Sequence, residues 1–325
     1  RSGPALRCAA DPASASRLRK TLRLAGYLWQ CQKSMSRVLL LGGSGFVGSA
    51  FARELAARNI DFSSISRAQV DYTKFDVVHS LLKKVRPELV INCSGVTGVP
   101  NVDWCETHRK ETIAGNIVAA AAISDACYGL GVLLGHVSSG CIYDGPRPND
   151  APWMEGDPPN FDFDAGRCSY YSGTKAMAES KICQNPLAYI WRLRLPFCEE
   201  ADAKNLITKL IGYQVIYDSP PNSLSHLGEC VGACVETWEN GAKRGIYNVV
   251  NPGTLTNREI VEMIETILKP ARKFERWIKE PEFYRDFVSA PRSNCVLSCK
   301  KLLDAGVNLR PVRQAMTETI ANYRP

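Results

Sequence analysis

Residues 38–60 read VLLLGGSGFVGSAFARELAARNI. Val38 to Leu41 is an apolar run long enough for one buried strand. Gly42, Gly45 and Gly48 follow at a spacing of three, and Phe51, Leu55 and Ile60 continue at helical spacing. Strand, glycine turn and helix in that order predict the first unit of a dinucleotide-binding fold. Glycines let such a turn close and let backbone N–H groups approach a pyrophosphate, whose charge a helix N-terminus favours. The turn therefore predicts cofactor contacts at Gly42, Ser44, Gly45, Phe46, Val47 and Gly48.

Further apolar runs at 89–93, 131–138, 189–196 and 246–250 alternate with helical patterns near 46–58, 74–86, 107–128, 172–184 and 227–239. This alternation predicts an α/β fold, a Rossmann-type doubly wound parallel sheet covered on both faces. After Asn248 a helical pattern, TNREIVEMIETIL, gives way to an irregular basic and aromatic region, which predicts a smaller C-terminal substrate-binding lobe. The expected division is a leader over 1–36, a dinucleotide-binding domain over 37–198 and 225–253, and a lobe over 199–224 and 254–325. The Pro/Gly/Asp-rich loops at 143–168 and 216–225 are long enough to be functional.

The formal charge of +7 does not imply a nucleic-acid partner. Arg1, Arg7, Arg17, Arg19, Lys20, Arg23 and Lys33 face only Asp11 in the leader, which leaves the body nearly neutral. An Arg- and Ala-rich, acid-poor leader reads either as an organellar transit peptide or as an upstream stretch before Met35. Thirteen cysteines without a repeated framework fit a reducing compartment, and the expected location is cytoplasmic, with organellar import through the leader as the alternative. Neither Cys230/Cys234 nor Cys295/Cys299 has zinc-pair spacing, so no metal is expected. No 18-residue apolar run is apparent, which predicts no membrane partner.

Some twenty residues after Gly48, where an acid would meet the ribose of NADH, the chain reads SSISRAQ. Arg67 suits a 2′-phosphate, favouring NADPH with NADH as the alternative donor; an ordinary solvated arginine is the competing reading. Asp71 is placed to meet the adenine. Asn92, Ser94 and Gly95 close the next apolar run, Asn116 lies in the following helix, and all four are cofactor candidates. VLLGHVSSG ends a buried strand at Ser138 and Ser139, and 32 residues later Tyr171-Ser-Gly-Thr-Lys175 places a tyrosine and a lysine on one helix face. An ammonium there is expected to stabilise the phenolate and lower the tyrosine's pKa. Both residues count as catalytic and cofactor-binding.

With these motifs the chain from about Arg37 onward resembles the extended short-chain dehydrogenases/reductases of the dTDP-4-dehydrorhamnose reductase branch. Within it, the chain is similar to the plant-type UDP-4-keto-6-deoxy-glucose 3,5-epimerase/4-reductases. The strings that carry the resemblance are PNVDWCE at 100–106, SGCIYD at 139–144, YYSGTKAM at 170–177, NLITKL at 205–210, NPG at 251–253 and APRSN at 290–294. The resemblance implies an NADPH-dependent enzyme that epimerises C3 and C5 and reduces C4 of a UDP- or dTDP-linked 4-keto-6-deoxy-glucose, giving the L-rhamnose nucleotide. Tyr171 would be the proton donor to O4, Lys175 its electrostatic partner and Ser139 the hydroxyl that orients the carbonyl. Cys141 and Lys209 match the acid/base pair of epimerisation. Arg292 and Asn294, with Val96, Asn101, Trp104 and Asn205, match contacts to the sugar nucleotide. Val99 stands where the branch reads arginine before Pro-Asn-Val-Asp-Trp.

Two other readings stay open at this point. One is a 4-reductase without epimerase activity, although Gly140-Cys141-Ile142-Tyr143 replaces the Asp-Tyr-Val-Phe usual in plain reductases. The other is a non-catalytic NADP-binding subunit like the regulatory subunit of methionine adenosyltransferase. Without the resemblance, Cys141 reads as packing and Lys209 as a surface lysine. Homodimerisation is allowed for.

Overall fold

The computed structural model describes residues 37–271 and 273–325; the leader assigned to 1–36 lies outside them. Val38–Leu41 forms strand β1, with every residue buried. Its side chains alternate: Val38 and Leu40 pack into one core cluster and Leu39 and Leu41 into another. A strand buried on both faces has no polar side, which is why the run is continuously apolar.

From β1 the chain forms helix α1 (Phe46–Ala57), strand β2 (Phe62–Ile65), helix α2 (Phe75–Val85) and strand β3 (Leu89–Asn92). The long helix α3 (Arg109–Leu130) leads to β4 (Leu133–Ser139), α4 (Tyr170–Ile182) and β5 (Ala188–Leu193). Helices α5 (Leu206–Gly212) and α6 (Leu227–Glu239) precede the sixth strand, β6 (Gly245–Asn248), followed by α7 (Asn257–Leu268) and α8 (Val312–Ala321). The six strands are all parallel, in the order β2-β1-β3-β4-β5-β6. The chain leaves β1 toward one edge and returns through β3 on its other side. That reversal opens a crevice at the carboxyl ends of β1 and β3, where open α/β sheets bind ligands.

One face of the sheet is covered by α2, α3 and α4, through Val78, Leu82, Ala119, Ile123, Ala126 and Ile182. The other is covered by α1 and α6, through Phe51, Leu55, Val231, Cys234 and Trp238. Leu302 and Val307, counted with the lobe by sequence, pack into this second face. A separate apolar cluster joins α5, α7 and α8 through Ile207, Leu210, Ile260, Ile264, Met316 and Ile320. Thr256 and Glu259 start α7 with a reciprocal capping box.

Helix α3 is, by length and composition, long and apolar enough to cross a membrane. Here its alanine-rich side lies against the sheet and α2, where small side chains allow close packing.

Candidate active site

Gly42 leaves β1 with φ +81°, and a Cβ on it would stand 2.8 Å from the Ser94 nitrogen. At Gly48 a Cβ would fall 2.1 Å from the Gly42 carbonyl oxygen. Only hydrogen fits at these two positions, so helix α1 can start directly against the strand end. Gly45 is its N-cap, with no side-chain cap and no acid in the first turn. The first-turn N–H groups of Phe46 and Val47 therefore lack an intrahelical acceptor, and the cradle fits a pyrophosphate.

A cavity of about 600 Å³ opens beside this turn. Arg67, Asp71 and Tyr72 line one side, Val96, Trp104 and Gly115 the other, with Val99 and Lys204 completing it. Among the described residues Arg67 forms no ion pair, and its Nη1 would lie 3.5 Å from a Cβ on Gly115. Asp71 accepts from the Thr73 hydroxyl (2.6 Å) and amide (3.0 Å), and these bonds hold its carboxyl below the usual range. Exposed Val99 leaves the rim without a cation at that position.

Three polar cofactor candidates are tied into the local structure. Asn92 is buried; its Oδ1 accepts from Ser94 N (3.0 Å) and Ser94 Oγ (2.5 Å), so both residues are occupied in shaping the β3 turn beside Gly95. Asn116 accepts from Val96 N (2.7 Å) and donates to Val96 O and Thr174 Oγ1 (3.0 and 3.1 Å). It sits in a π-helical turn of α3, which re-aims the side chain to tie the β3 loop to α4.

Strand β4 ends at Ser139, and Ser169 caps α4, so Tyr171 in its first turn comes to the strand end. Ser139 accepts from Cys141 N at 3.2 Å and interacts with the Tyr171 phenol. Burial pushes Tyr171 above its usual pKa, the charge of Cys141 adds to this and the interaction with Ser139 opposes it. The expected lowering by Lys175 is therefore not found. Its ammonium donates to the Val137 carbonyl (3.0 Å), and burial pushes it down to about 8.

Cys141 lies on a short 3-10 turn after β4, half-buried, with Arg194 Nη1 2.8 Å from its sulfur. Lys209 lies on α5; burial, with the cations of Lys204 and Arg292, pushes its ammonium below the usual range. Arg292 reaches Asp103 with two bonds and lies 3.5 Å from Asn101 Oδ1. Asn294 accepts from Asn222 Nδ2 (3.1 Å), and its amide donates to Asp144 (2.7 Å). Trp104 stacks on His108 with centroids 3.8 Å apart and presents its other surface to the cavity.

Asn205 serves the local structure of α5. It is fully buried, capping α5 through Ile207 N (3.0 Å) and donating to the Cys198 and Glu200 carbonyls (2.8 Å each). Sequence reasoning missed Asp103, Arg194, Asn222 and Lys204. A visible signal existed for Arg194: YIWRLRL puts two arginines in an otherwise apolar buried strand, and buried cations need partners.

A family model, the RmlD substrate binding domain, matches residues 35–324. The bifunctional dTDP-4-dehydrorhamnose 3,5-epimerase/dTDP-4-dehydrorhamnose reductase of Arabidopsis thaliana is 31% identical over 87% of this chain and 91% of its own. The trifunctional UDP-glucose 4,6-dehydratase/UDP-4-keto-6-deoxy-D-glucose 3,5-epimerase/UDP-4-keto-L-rhamnose-reductase RHM1 of that plant is 30% identical over 88% of this chain; the match spans 42% of that relative's length. Among solved structures, the L780 UDP-rhamnose synthase of Acanthamoeba polyphaga mimivirus superposes with a TM-score of 0.80 at 22% identity. It covers 88% of this chain and 98% of its own.

Proposed function

The chain belongs to the RmlD substrate binding domain family, and we propose that it is an NADPH-dependent 3,5-epimerase/4-reductase acting on a UDP- or dTDP-linked 4-keto-6-deoxy-glucose. The observation that supports the reading is that Ser139 ends β4 beside Cys141, whose amide it accepts at 3.2 Å, while the first turn of α4 brings the buried Tyr171 to the same strand end.

NADPH, when bound, supplies the hydride for C4. The first turn of α1 would hold its pyrophosphate and Arg67 its 2′-phosphate. Tyr171 hands a proton to O4 while Ser139 holds the carbonyl oxygen. A raised phenol suits this task, because a donor must arrive protonated. The same two hydroxyls stabilise charge on O4 when a proton leaves C3 or C5, since both carbons flank the C4 ketone. Cys141 and Lys209 are the groups that take and return those protons. The depressed ammonium of Lys209 suits exchange near neutrality. Lys175, buried behind Tyr171, provides positive potential beneath the reacting oxygen.

Incubation with NADPH and each of the two 4-keto nucleotides, with the product identified by NMR, tests this reading. The expected product is the L-rhamnose nucleotide from one or both. NADPH oxidation at background with both substrates overturns the reading.

A further inference from the structure

Two buried arginines stand two residues apart at the end of β5, and their surroundings differ in kind. Arg192 and Arg194 are 1% and 2% exposed. Arg192 meets a full counter-charge: its Nε lies 3.0 and 3.1 Å from the Glu179 carboxylate oxygens, and Nη2 makes a still shorter contact. Among the described residues no carboxylate lies within hydrogen-bond reach of Arg194. Its Nη2 donates to Asn222 Oδ1 (2.6 Å) and the Ser293 carbonyl (2.5 Å), its Nη1 donates to Cys141 Sγ (2.8 Å), and its buried Nε has no partner among the described residues.

A guanidinium keeps its proton at every working pH, and a buried charge without a counter-charge is strongly unfavourable. Of the groups that Arg194 touches, Cys141 alone can become an anion. An unsatisfied buried donor in a native fold calls for an explanation.

We propose that Arg194 is the counter-ion of the Cys141 thiolate: a positioning residue that fixes the sulfur and lets it carry negative charge once its proton has passed to substrate or solvent. This rests on reading Cys141 as a proton-exchange group. The other titratable groups facing the sulfur are Tyr171 and Lys175 on α4, Lys209 on α5 and Cys295 on the 290–297 segment. Neither lysine makes a hydrogen bond to it, and burial displaces both ammonium groups toward neutrality.

Alkylation by iodoacetamide reads the thiolate directly, because the sulfur anion attacks carbon and iodide leaves. In the wild type at pH 7, half-buried Cys141 should be alkylated faster than exposed Cys183 of the same molecule, as followed by peptide mass spectrometry. Arg194→Gln should slow Cys141 roughly tenfold or more, and Arg194→Lys should restore part of that rate. Urea unfolding and NADPH affinity serve as checks that each variant is folded. With substrate, Arg194→Gln should lose solvent deuterium incorporation in the same proportion, while still reducing a sugar supplied already epimerised. Slower alkylation of Cys141 than of Cys183 in the wild type overturns the proposal. So does an equal rate in all three folded proteins. The alkylation pattern without any wild-type deuterium exchange would support the ion pair and overturn the epimerase reading instead.

Discussion

Arg292 and Asp103 join two distant strings of the sequence: Nη1 meets Oδ1 at 2.9 Å and Nη2 meets Oδ2 at 2.6 Å. The amide of Ala290 donates to the same carboxylate at 2.9 Å. PNVDWCE and APRSN are thus held together by one clamp. A two-bond guanidinium–carboxylate pair fixes direction as well as distance.

Asp103→Ala and Arg292→Ala should each lower stability by about 1–2 kcal/mol, and the double variant by less than their sum. Urea titrations of the four proteins measure the coupling; strictly additive losses would show that the pair contributes nothing. Asp103 is held below the usual carboxyl range chiefly by Arg292, against the opposing effect of burial. Its contribution is therefore complete above the unfolded value of about 3.9 and disappears as pH falls through the lower folded value.

Gly48→Ala and Gly45→Ala should part company. A Cβ on Gly48 meets the Gly42 oxygen at 2.1 Å, whereas one on Gly45 stands 3.5 Å from the same atom. The first variant should lose about 2 kcal/mol or more and bind NADPH weakly; the second should stay close to wild type in stability. Fluorescence titration with NADPH and a urea curve decide the matter, and equal behaviour would remove the close-approach argument.

Arg67→Ala should weaken NADPH binding by roughly ten- to a hundredfold and leave NADH affinity nearly unchanged, as expected for loss of a charge-assisted phosphate contact. An unchanged ratio of the two affinities would make Arg67 a solvated rim residue.

Lys175, pushed down to about 8 by burial, binds a proton less readily folded than unfolded. Stability should then rise as pH climbs from about 8 toward the unfolded value near 10.4, by up to about 3 kcal/mol from this group. Lys175→Met should flatten that rise relative to wild type in paired urea titrations. Parallel curves for the two proteins would place the ammonium in solvent.

The fold was legible because its central strands are buried on both faces and are therefore largely apolar. VLLL, LVIN and AYIWRL all announce themselves that way. Strand β2 is the exception: at the sheet edge and only partly buried, FSSI carries no such run, and only its distance from Gly48 hinted at it. The placement of Tyr171 and Lys175 one helical turn apart, after a strand that ends at Ser139, was legible because a helical turn fixes the spacing of the two. The asparagines were not. Asn92, Asn116 and Asn205 make hydrogen bonds to local backbone, to the adjacent strand or to a neighbouring helix, partners that no local sequence pattern marks. Asp103 escaped because its partner lies 189 residues away.

The central claim is that one site exchanges protons at C3 and C5 and reduces C4, and product analysis in deuterated water tests it most directly. Wild type should give the L-rhamnose nucleotide with solvent deuterium at both carbons. Tyr171→Phe should abolish NADPH oxidation, while Cys141→Ala or Lys209→Ala should lose deuterium at one or both carbons and keep NADPH affinity. A wild-type product without solvent deuterium, or an exchange pattern unchanged in both variants, would contradict the account.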